Sequence, residues 1–370
     1  MDTQSLWDAL SGAYDDEDAG RKEAAVQRAT DRLQEAGSFV HVAEGRANAV
    51  FRVCAAADGD GDGDGIGEDL LPGKIEGAHP YDYERLQKFR ATMIVPAVGA
   101  RHLVPQLLVR VTEAQAAAMN RARAASGKAK DDSTIEGPGF AMLIQDMTPA
   151  AARQQLGMEF KPKWLAQSPI APAGAKRCRT CAREAYRNSQ KLAKQQQQQQ
   201  QQGEEGREEG EGEEQQQQKK KPKAAAAAPV CPLGLLHDDP DVVLRAIARF
   251  APSSWTPADH ERLRRALATS GLLTKLRDVQ TAGDPGNTMF DNPEDPGFGL
   301  AMTLRDCTCF VRMPQDDSND EVEIKLADVD EKNWVSKKEY WQKSHSNLVD
   351  SGFYHGTEEP HMETQCVLQM

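Results

Sequence analysis

The chain has 370 residues and a formal net charge of −12, long enough for two core-forming lobes even after its polar tracts are set aside. It opens without a basic segment leading into an apolar run and holds no eighteen consecutive apolar residues, so secretion and membrane insertion are not expected. Its seven scattered cysteines lack the density of a disulfide scaffold and read as reduced intracellular thiols.

The negative charge is unevenly placed. Residues 1–19 carry six acids, Asp58 to Asp69 six, and Glu204 to Glu214 seven, whereas Glu159 to Lys194 holds nine Lys or Arg against two acids. Local potential decides what docks, so an anionic partner fits the middle of the chain.

In chain order, residues 1–19 read as an acidic flexible terminus. Residues 20–36 repeat apolar positions at helical spacing, with Ala24, Val26, Ala29 and Leu33 on one face and Gly37 ending the run. Phe39–Ala43 and Ala49–Val53 read as a strand pair joined by Glu44-Gly45-Arg46-Ala47-Asn48. The Asp/Gly run from Asp58 has carboxylates at alternate positions, as a calcium loop does. With Asp60 first, however, position twelve is Leu71 where a bidentate Glu is needed, so a flexible loop over 55–72 is expected. Tyr81–Ala91 and Ala114–Ala125 read as helices, and Phe140–Ile144 as a buried strand broken by Asp146-Met147-Thr148-Pro149.

The Gln, Glu, Lys and Ala tracts of residues 195–228 are expected to be a disordered insertion. Pro240–Phe250 and Pro257–Ser270 read as helices with Pro in the first turn, the second capped by Thr256 and ended by Gly271. Leu304–Arg312 and Val322–Leu326 read as strands around the turn 315–320. The tail from Ser351 looks less regular.

Three constellations carry chemistry. In Glu159-Phe160-Lys161-Pro162-Lys163-Trp164, alternation on an extended segment would put Glu159, Lys161 and Lys163 on one face. Two ammonium groups there call for a neutralising polyanion. Arg179, Arg183 and Arg187 lie at i, i+4 and i+8, a helical ridge whose guanidinium forks suit phosphate oxygens. Arg305-Asp306-Cys307 and Asp328-Val329-Asp330-Glu331-Lys332 put a carboxylate at each end of a strand pair, and phosphoryl transfer to an alcohol needs one carboxylate at the hydroxyl and another at a metal. As bare patterns, each has a plainer reading: a solvated basic edge, a solvated helix face, two turn aspartates. Cys178-x-x-Cys181 suits half a zinc site or a redox pair. The further candidates Cys231, His237, Cys307 and Cys309 form no second paired motif, so packing thiols on the reverse of the arginine ridge are expected.

Taken together and in order, Glu159-Phe-Lys161-Pro162-Lys163, Arg177 to Arg187, Arg305-Asp306-Cys307, and Asp328-Val-Asp330-Glu-Lys332 followed by Tyr340-Trp341 resemble the inositol-pentakisphosphate 2-kinase family of fungal type. Glu44-Gly45-x-Ala47-Asn48 is similar to that family's nucleotide-covering loop. The resemblance implies an α+β, two-lobed fold distantly related to protein kinases. Its N-lobe would be residues 20–148, its C-lobe residues 149–194 and 229–350, and residues 351–370 a tail. It also implies ATP- and Mg2+-dependent phosphorylation of the 2-hydroxyl of inositol pentakisphosphate, giving the hexakisphosphate.

On that resemblance Asp306 and Lys161 are catalytic and Asp328 is the metal ligand. Gly45, Asn48, Lys161 and the hinge Gln145-Asp146-Met147 bind ATP, the hinge mainly through backbone groups. Lys163, Arg179, Arg183, Arg187, Lys332 and Tyr340 bind the inositol phosphates. A monomer in nucleus and cytoplasm is expected, with no membrane or direct nucleic-acid partner. Lys219–Lys223 resembles a nuclear import signal, or is a solubilising charge block.

One departure stands out. The family's basic strand after the first hairpin has no clear counterpart where Gly73-Lys74-Ile75 runs into Glu76. A shortened sheet with an exposed edge is expected, and with it either a missing segment or impaired ATP binding. Two other readings follow: an inactive inositol-polyphosphate-binding relative, or a nuclear interaction protein built on the glutamine tract.

Overall fold

The computed structural model describes residues 27, 31, 36–44, 49–55, 68–72, 83–129, 134–149, 155–208, 230–315, 322–332 and 334–370. They fall into two compact units, Met1–Phe160 with Cys307–Glu331, and Lys161–Asp306 with Lys332–Met370. Each mixes or selects helix and antiparallel sheet as an α+β chain does. The division falls at Phe160/Lys161, and residues 307–331 group with the first unit.

The first unit holds two antiparallel sheets. One has the order β1-β2-β3-β5-β4, from β1 (Ala36–Glu44), β2 (Ala49–Ala55), β3 (Glu68–Pro72), β4 (Gln106–Val111) and β5 (Gly139–Gln145). The expected strand pair is β1 and β2, with Phe39 opposite Val53 and Glu44 opposite Ala49. The expected gap in the sheet is not there. β3 pairs with β2 on one side and β5 on the other, so the stretch read as loop supplies an interior strand. Leu70 and its neighbours can adopt an extended chain once paired on both sides, and the acidic run before Leu70 hid the signal in the sequence.

Alternation along β4 turns Leu107, Val109 and Val111 inward. They pack with Phe39, Phe51, Ala141 and Leu143 and with Ala116 and Met119 of α3 (Glu113–Ser126). A reciprocal capping box between Thr112 and Gln115 starts α3, and Gly127, at φ +64°, ends it. Before β4, α1 (Tyr83–Phe89) continues through a π-turn (Arg90–Ile94) into α2 (Val95–Val98). The second sheet orders β6 (Gln155–Phe160), β7 (Thr308–Pro314) and β8 (Glu323–Ala327). β7 begins at Thr308, later than expected, because Pro296–Leu304 is helical.

The second unit is helical. α4 (Arg179–Glu208) is followed by α5 (Pro240–Phe250), α6 (Pro257–Ser270), α7 (Leu272–Ala282), α8 (Thr288–Asp291), α9 (Pro296–Leu304) and α10 (Trp334–Asp350). α4 runs through Gln195–Gln202, which were expected to be disordered. Extending an existing helix costs far less than nucleating one, and Gln is a fair helix former. Thr256 caps α6 in a box with Asp259, and Gly271 ends it at φ +63°.

Trp164, Met289, Phe298, Met302 and Trp341 form one core, and Ala182, Ala185, Leu348, Phe353 and Tyr354 another. The tail after Ser351 is irregular but packed, with Phe353, Tyr354 and Cys366 buried. Gly283 has no room for a side chain, since a Cβ there would lie 2.2 Å from the Gly297 carbonyl oxygen at the start of α9.

Among the described residues no helix is long and apolar enough to cross a membrane. Of the helix expected at 20–36 only Gln27 and Asp31 are described, both helical, with the Gln27 amide donating to the Asp31 carboxylate at 2.7 Å. The acidic terminus, residues 56–67, Gly45, Asn48, residues 209–229 and the turn at 316–321 lie outside the described residues.

Candidate active site

In the helical unit, three lysines converge on one carboxylate. Lys163 Nζ donates to Asp306 Oδ1 at 2.9 Å, Lys332 Nζ lies 3.3 Å from Oδ2, and Lys161 Nζ donates to the Asp306 carbonyl oxygen at 2.8 Å and lies 3.9 Å from Oδ1. The Asp306 side chain is 48% exposed and the three lysine side chains between 23% and 38%. Partial burial alone would raise the Asp306 carboxyl. The Lys163 hydrogen bond and the charges of Lys163, Lys332 and Lys161 outweigh it and hold the group below the usual carboxylate range. Three ammonium groups share a single, half-exposed carboxylate, so around Asp306 the lysines outnumber their counterion.

The local folding that builds this cage was only partly foreseen. The extended alternation ends with β6 at Phe160, and Lys163 adopts φ +57°. Both lysines reach Asp306 because the chain turns, not because a strand alternates. The strained backbone is over-determined by Gln280, buried in α7, whose Nε2 donates to the Lys163 carbonyl at 2.9 Å and to the Leu304 carbonyl at 3.2 Å, while its Oε1 accepts from Leu165 N–H at 3.0 Å.

On the other side of Asp306, Arg305 is a plug. It is ion-paired to Asp284 at 2.7 Å, donates to the Gln280 carbonyl at 3.1 Å, and lies 3.6 Å from the Trp164 ring centroid. Burial lowers its pKa to about 10, with Asp284 opposing and Arg179 adding to the fall. The Asp306 N–H closes the end of α9 on the Thr303 carbonyl, and Thr303 Oγ1 accepts from Lys332 N–H.

The arginine ridge is not an open row. Arg179 is buried, 4.8 Å from the Trp164 ring centroid and bonded at 3.0 Å to His345 Nδ1. The physical reason is the aromatic pocket beneath the first turn of α4, where Trp164 offers the guanidinium a π face and His345 a ring nitrogen. Arg183 donates to the Tyr340 hydroxyl at 2.5 Å and stacks 5.9 Å from its ring centroid, at the surface. Arg187 is exposed and paired with Glu184 at 2.6 Å. Arg183 and Arg187 therefore remain as surface cations, with Tyr340 beside the first.

In the other unit, β5 leads into Gln145-Asp146-Met147. Gln145 N–H donates to the Pro105 carbonyl, Asp146 Oδ1 accepts from Thr148 N–H, and Arg312 donates to the Asp146 carbonyl. Gln145 and Met147 are buried. Asp328 is exposed at φ +56°; among the described residues it shares a positive φ with no other non-glycine than Lys163. It directly follows Ala327, the register partner of Thr308, two residues after Asp306.

Sequence reasoning missed Gln280, Asp284, Trp164 as an arginine platform, and His345. Gln280, Asp284 and His345 sit in no motif, and Trp164, though it closes the lysine motif, gives no sign in sequence that Arg179 and Arg305 stack on it. The cysteines expected to be packing thiols are free and buried, and Cys178, Cys181, Cys231 and Cys366 lie together in one cluster.

The family model for inositol-pentakisphosphate 2-kinase matches residues 41–347. The chain is 29% identical over 214 residues to the inositol-pentakisphosphate 2-kinase of Yarrowia lipolytica, an alignment covering 57% of this chain and 56% of that protein. It is 33% identical over 87 residues to that of Candida glabrata, covering 22% of this chain and 30% of that protein. The chain thus spans less than two thirds of the length of either relative.

Proposed function

Because the chain belongs to the inositol-pentakisphosphate 2-kinase family, we propose that it transfers the γ-phosphoryl group of ATP to the 2-hydroxyl of inositol 1,3,4,5,6-pentakisphosphate. The observation that carries this reading is the Asp306 carboxylate held by Lys161, Lys163 and Lys332. An aspartate among lysines has two uses in phosphoryl transfer: the cations take the charge of bound phosphates, and the carboxylate orients the acceptor hydroxyl.

Before substrate arrives, the lysines use Asp306 as their counterion. Incoming phosphates compete for the same ammonium groups, which frees the carboxylate and restores part of its basicity. The acceptor hydroxyl then donates to Asp306. As the new O–P bond forms and the bond to the β-phosphate bridging oxygen breaks, the hydroxyl proton passes to Asp306 and ADP leaves. In a loose transition state the proton moves late, so a weakly basic carboxylate suffices.

Lys161 is assigned to the ATP phosphates and Lys163, Lys332, Arg183, Arg187 and Tyr340 to the inositol phosphates. Arg179 is assigned to the same bowl, acting from beneath through Trp164 and His345. Asp328, an exposed hard oxygen donor, would hold Mg2+, which would supply charge neutralisation for the phosphoryl transfer. Gly45, Asn48, Gln145, Asp146 and Met147 are assigned to ATP, within a two-lobed, protein-kinase-like arrangement. A monomer working in nucleus and cytoplasm completes the reading.

A second reading, an inositol-polyphosphate-binding relative without turnover, is favoured by β3. Its sequence, Glu68-Asp69-Leu70-Leu71-Pro72, has no Lys or Arg where the family carries basic residues. Incubating the purified chain with the pentakisphosphate, ATP and Mg2+ separates the two. Formation of the hexakisphosphate is expected; tight binding of the pentakisphosphate with no product would replace the first reading by the second.

A further inference from the structure

The cluster behind the arginine helix brings together residues remote in sequence. Cys178 immediately precedes α4 and Cys181 lies in its first turn. Cys231 leads into the 3-10 turn Pro232–Leu236, and Cys366 into Val367–Gln369. All four side chains are buried, and their Sγ atoms lie within 4.8 Å of one another.

Apolar packing alone gives sulfurs no reason to gather at one point, since a thiol packs as well against Leu233 or Val367, which flank the cluster. The spacing is informative. Cys231 Sγ lies 3.8 Å from Cys178 Sγ and 3.8 Å from Cys366 Sγ. With metal–sulfur bonds of about 2.3 Å, the edge of a regular tetrahedron of thiolates around zinc is about 3.8 Å. One sulfur equidistant from two others does not suit disulfide pairing, which joins sulfurs two at a time. An iron–sulfur cluster would hold its cysteines further apart around a larger inorganic core.

Thiolate charge is also provided for. Cys178 N–H donates to Cys366 Sγ at 3.1 Å, Cys181 N–H to Cys178 Sγ at 3.5 Å, and Val367 N–H to Cys231 Sγ. Backbone N–H donors of this kind are how metal–thiolate sites spread their negative charge.

We propose that Cys178, Cys181, Cys231 and Cys366 bind one zinc ion in a closed four-thiolate structural site. A soft, all-sulfur tetrahedron selects zinc over the hard cations used in phosphoryl transfer, and with no open position it is structural rather than catalytic. Binding exchanges the thiol protons for the metal, so affinity rises with pH. The ion joins the first turn of α4, the chain re-entering at residue 231 and the C-terminal segment. It therefore fixes the helix that presents Arg183 and Arg187.

Elemental analysis of the purified full chain is expected to find one zinc per molecule. Chelation should lower Tm by about 5 °C or more, and replacing zinc with Co2+ should give the intense absorption of tetrahedral cobalt–thiolate. Cys366→Ser is expected to lose its zinc to a chelator that leaves the parent chain loaded. If that variant does not fold, the metal content and cobalt spectrum of the parent chain decide alone. Substoichiometric zinc in freshly purified protein, a different metal in its place, or a cobalt spectrum of octahedral type would overturn the proposal.

Discussion

Gln280 holds Lys163 in a backbone conformation that lysine does not favour. Its side-chain amide ties the Lys163 carbonyl, the Leu165 N–H and the Leu304 carbonyl to one point in α7, while Lys163 at φ +57° delivers its ammonium to Asp306. Gln280→Leu keeps the volume and removes all three bonds, leaving buried backbone groups unpaired. A stability loss of about 1–3 kcal/mol is expected. Catalytic efficiency should fall about tenfold to a hundredfold as Lys163 relaxes away from Asp306. Denaturant unfolding and steady-state kinetics check this; a variant that loses stability yet keeps full kcat/KM would remove Gln280 from the positioning of Lys163.

Asp306 is the shared counterion of three lysines, so its replacement has two separable effects. Asp306→Asn should lower turnover by about 10²–10⁴-fold by removing the proton acceptor. It should also leave the ammonium groups repelling one another, which an added polyanion relieves. Inorganic phosphate is therefore expected to raise Tm more in Asp306→Asn than in the parent chain. Equal shifts in both proteins would mean that the three lysines do not depend on Asp306 for charge balance.

These relationships explain what was legible in the sequence. The lysine pair, Asp306 and Lys332 stood out because charge chemistry at short spacing is visible without a fold. The caps at Thr112, Thr256 and Gly271 were equally local, and Thr256 and Gly271 were read in advance. The burial of Arg179 was not legible, because periodicity gives its direction around the helix but not what the helix packs on, and here that is Trp164 and His345. β3 was missed because it is short and starts within an acidic run, and because one of its two partners, β5, lies far along the chain, with Leu70 opposite Leu143. Cys366 was missed as a companion of Cys178 because 188 residues separate them.

His345 makes the helical unit acid-sensitive. Burial lowers its pKa to about 4, Arg179 adds to the fall and Asp350 opposes it. Arg179 can only donate, so Nδ1 is an acceptor and the ring is neutral in the folded protein. The unfolded chain protonates at about 6.5. Between that value and about 4 the unfolded state binds the extra proton, so stability falls as pH falls through this window. At pH 5 the loss is about 2 kcal/mol. His345→Gln keeps an acceptor for Arg179 without the titration, and its unfolding free energy should be flatter between pH 7 and pH 5. An unchanged slope would assign the acid sensitivity to other groups.

The buried Arg177–Glu358 pair fastens the C-terminal segment. Neither side chain is more than 3% exposed, and the contact is 2.7 Å. Arg177 also donates to the Phe353 carbonyl at 3.2 Å and the Met362 carbonyl at 2.5 Å. Glu358→Leu leaves a guanidinium without its counterion and should destabilise by about 3–5 kcal/mol. Adding Arg177→Met removes the stranded charge and should recover part of that loss. Recovery stays incomplete, because two tail carbonyls lose their donor. The double-mutant cycle measured by denaturant unfolding reads the coupling directly. Strict additivity of the two single changes would show that the tail is held by Phe353 and Tyr354 packing rather than by this pair.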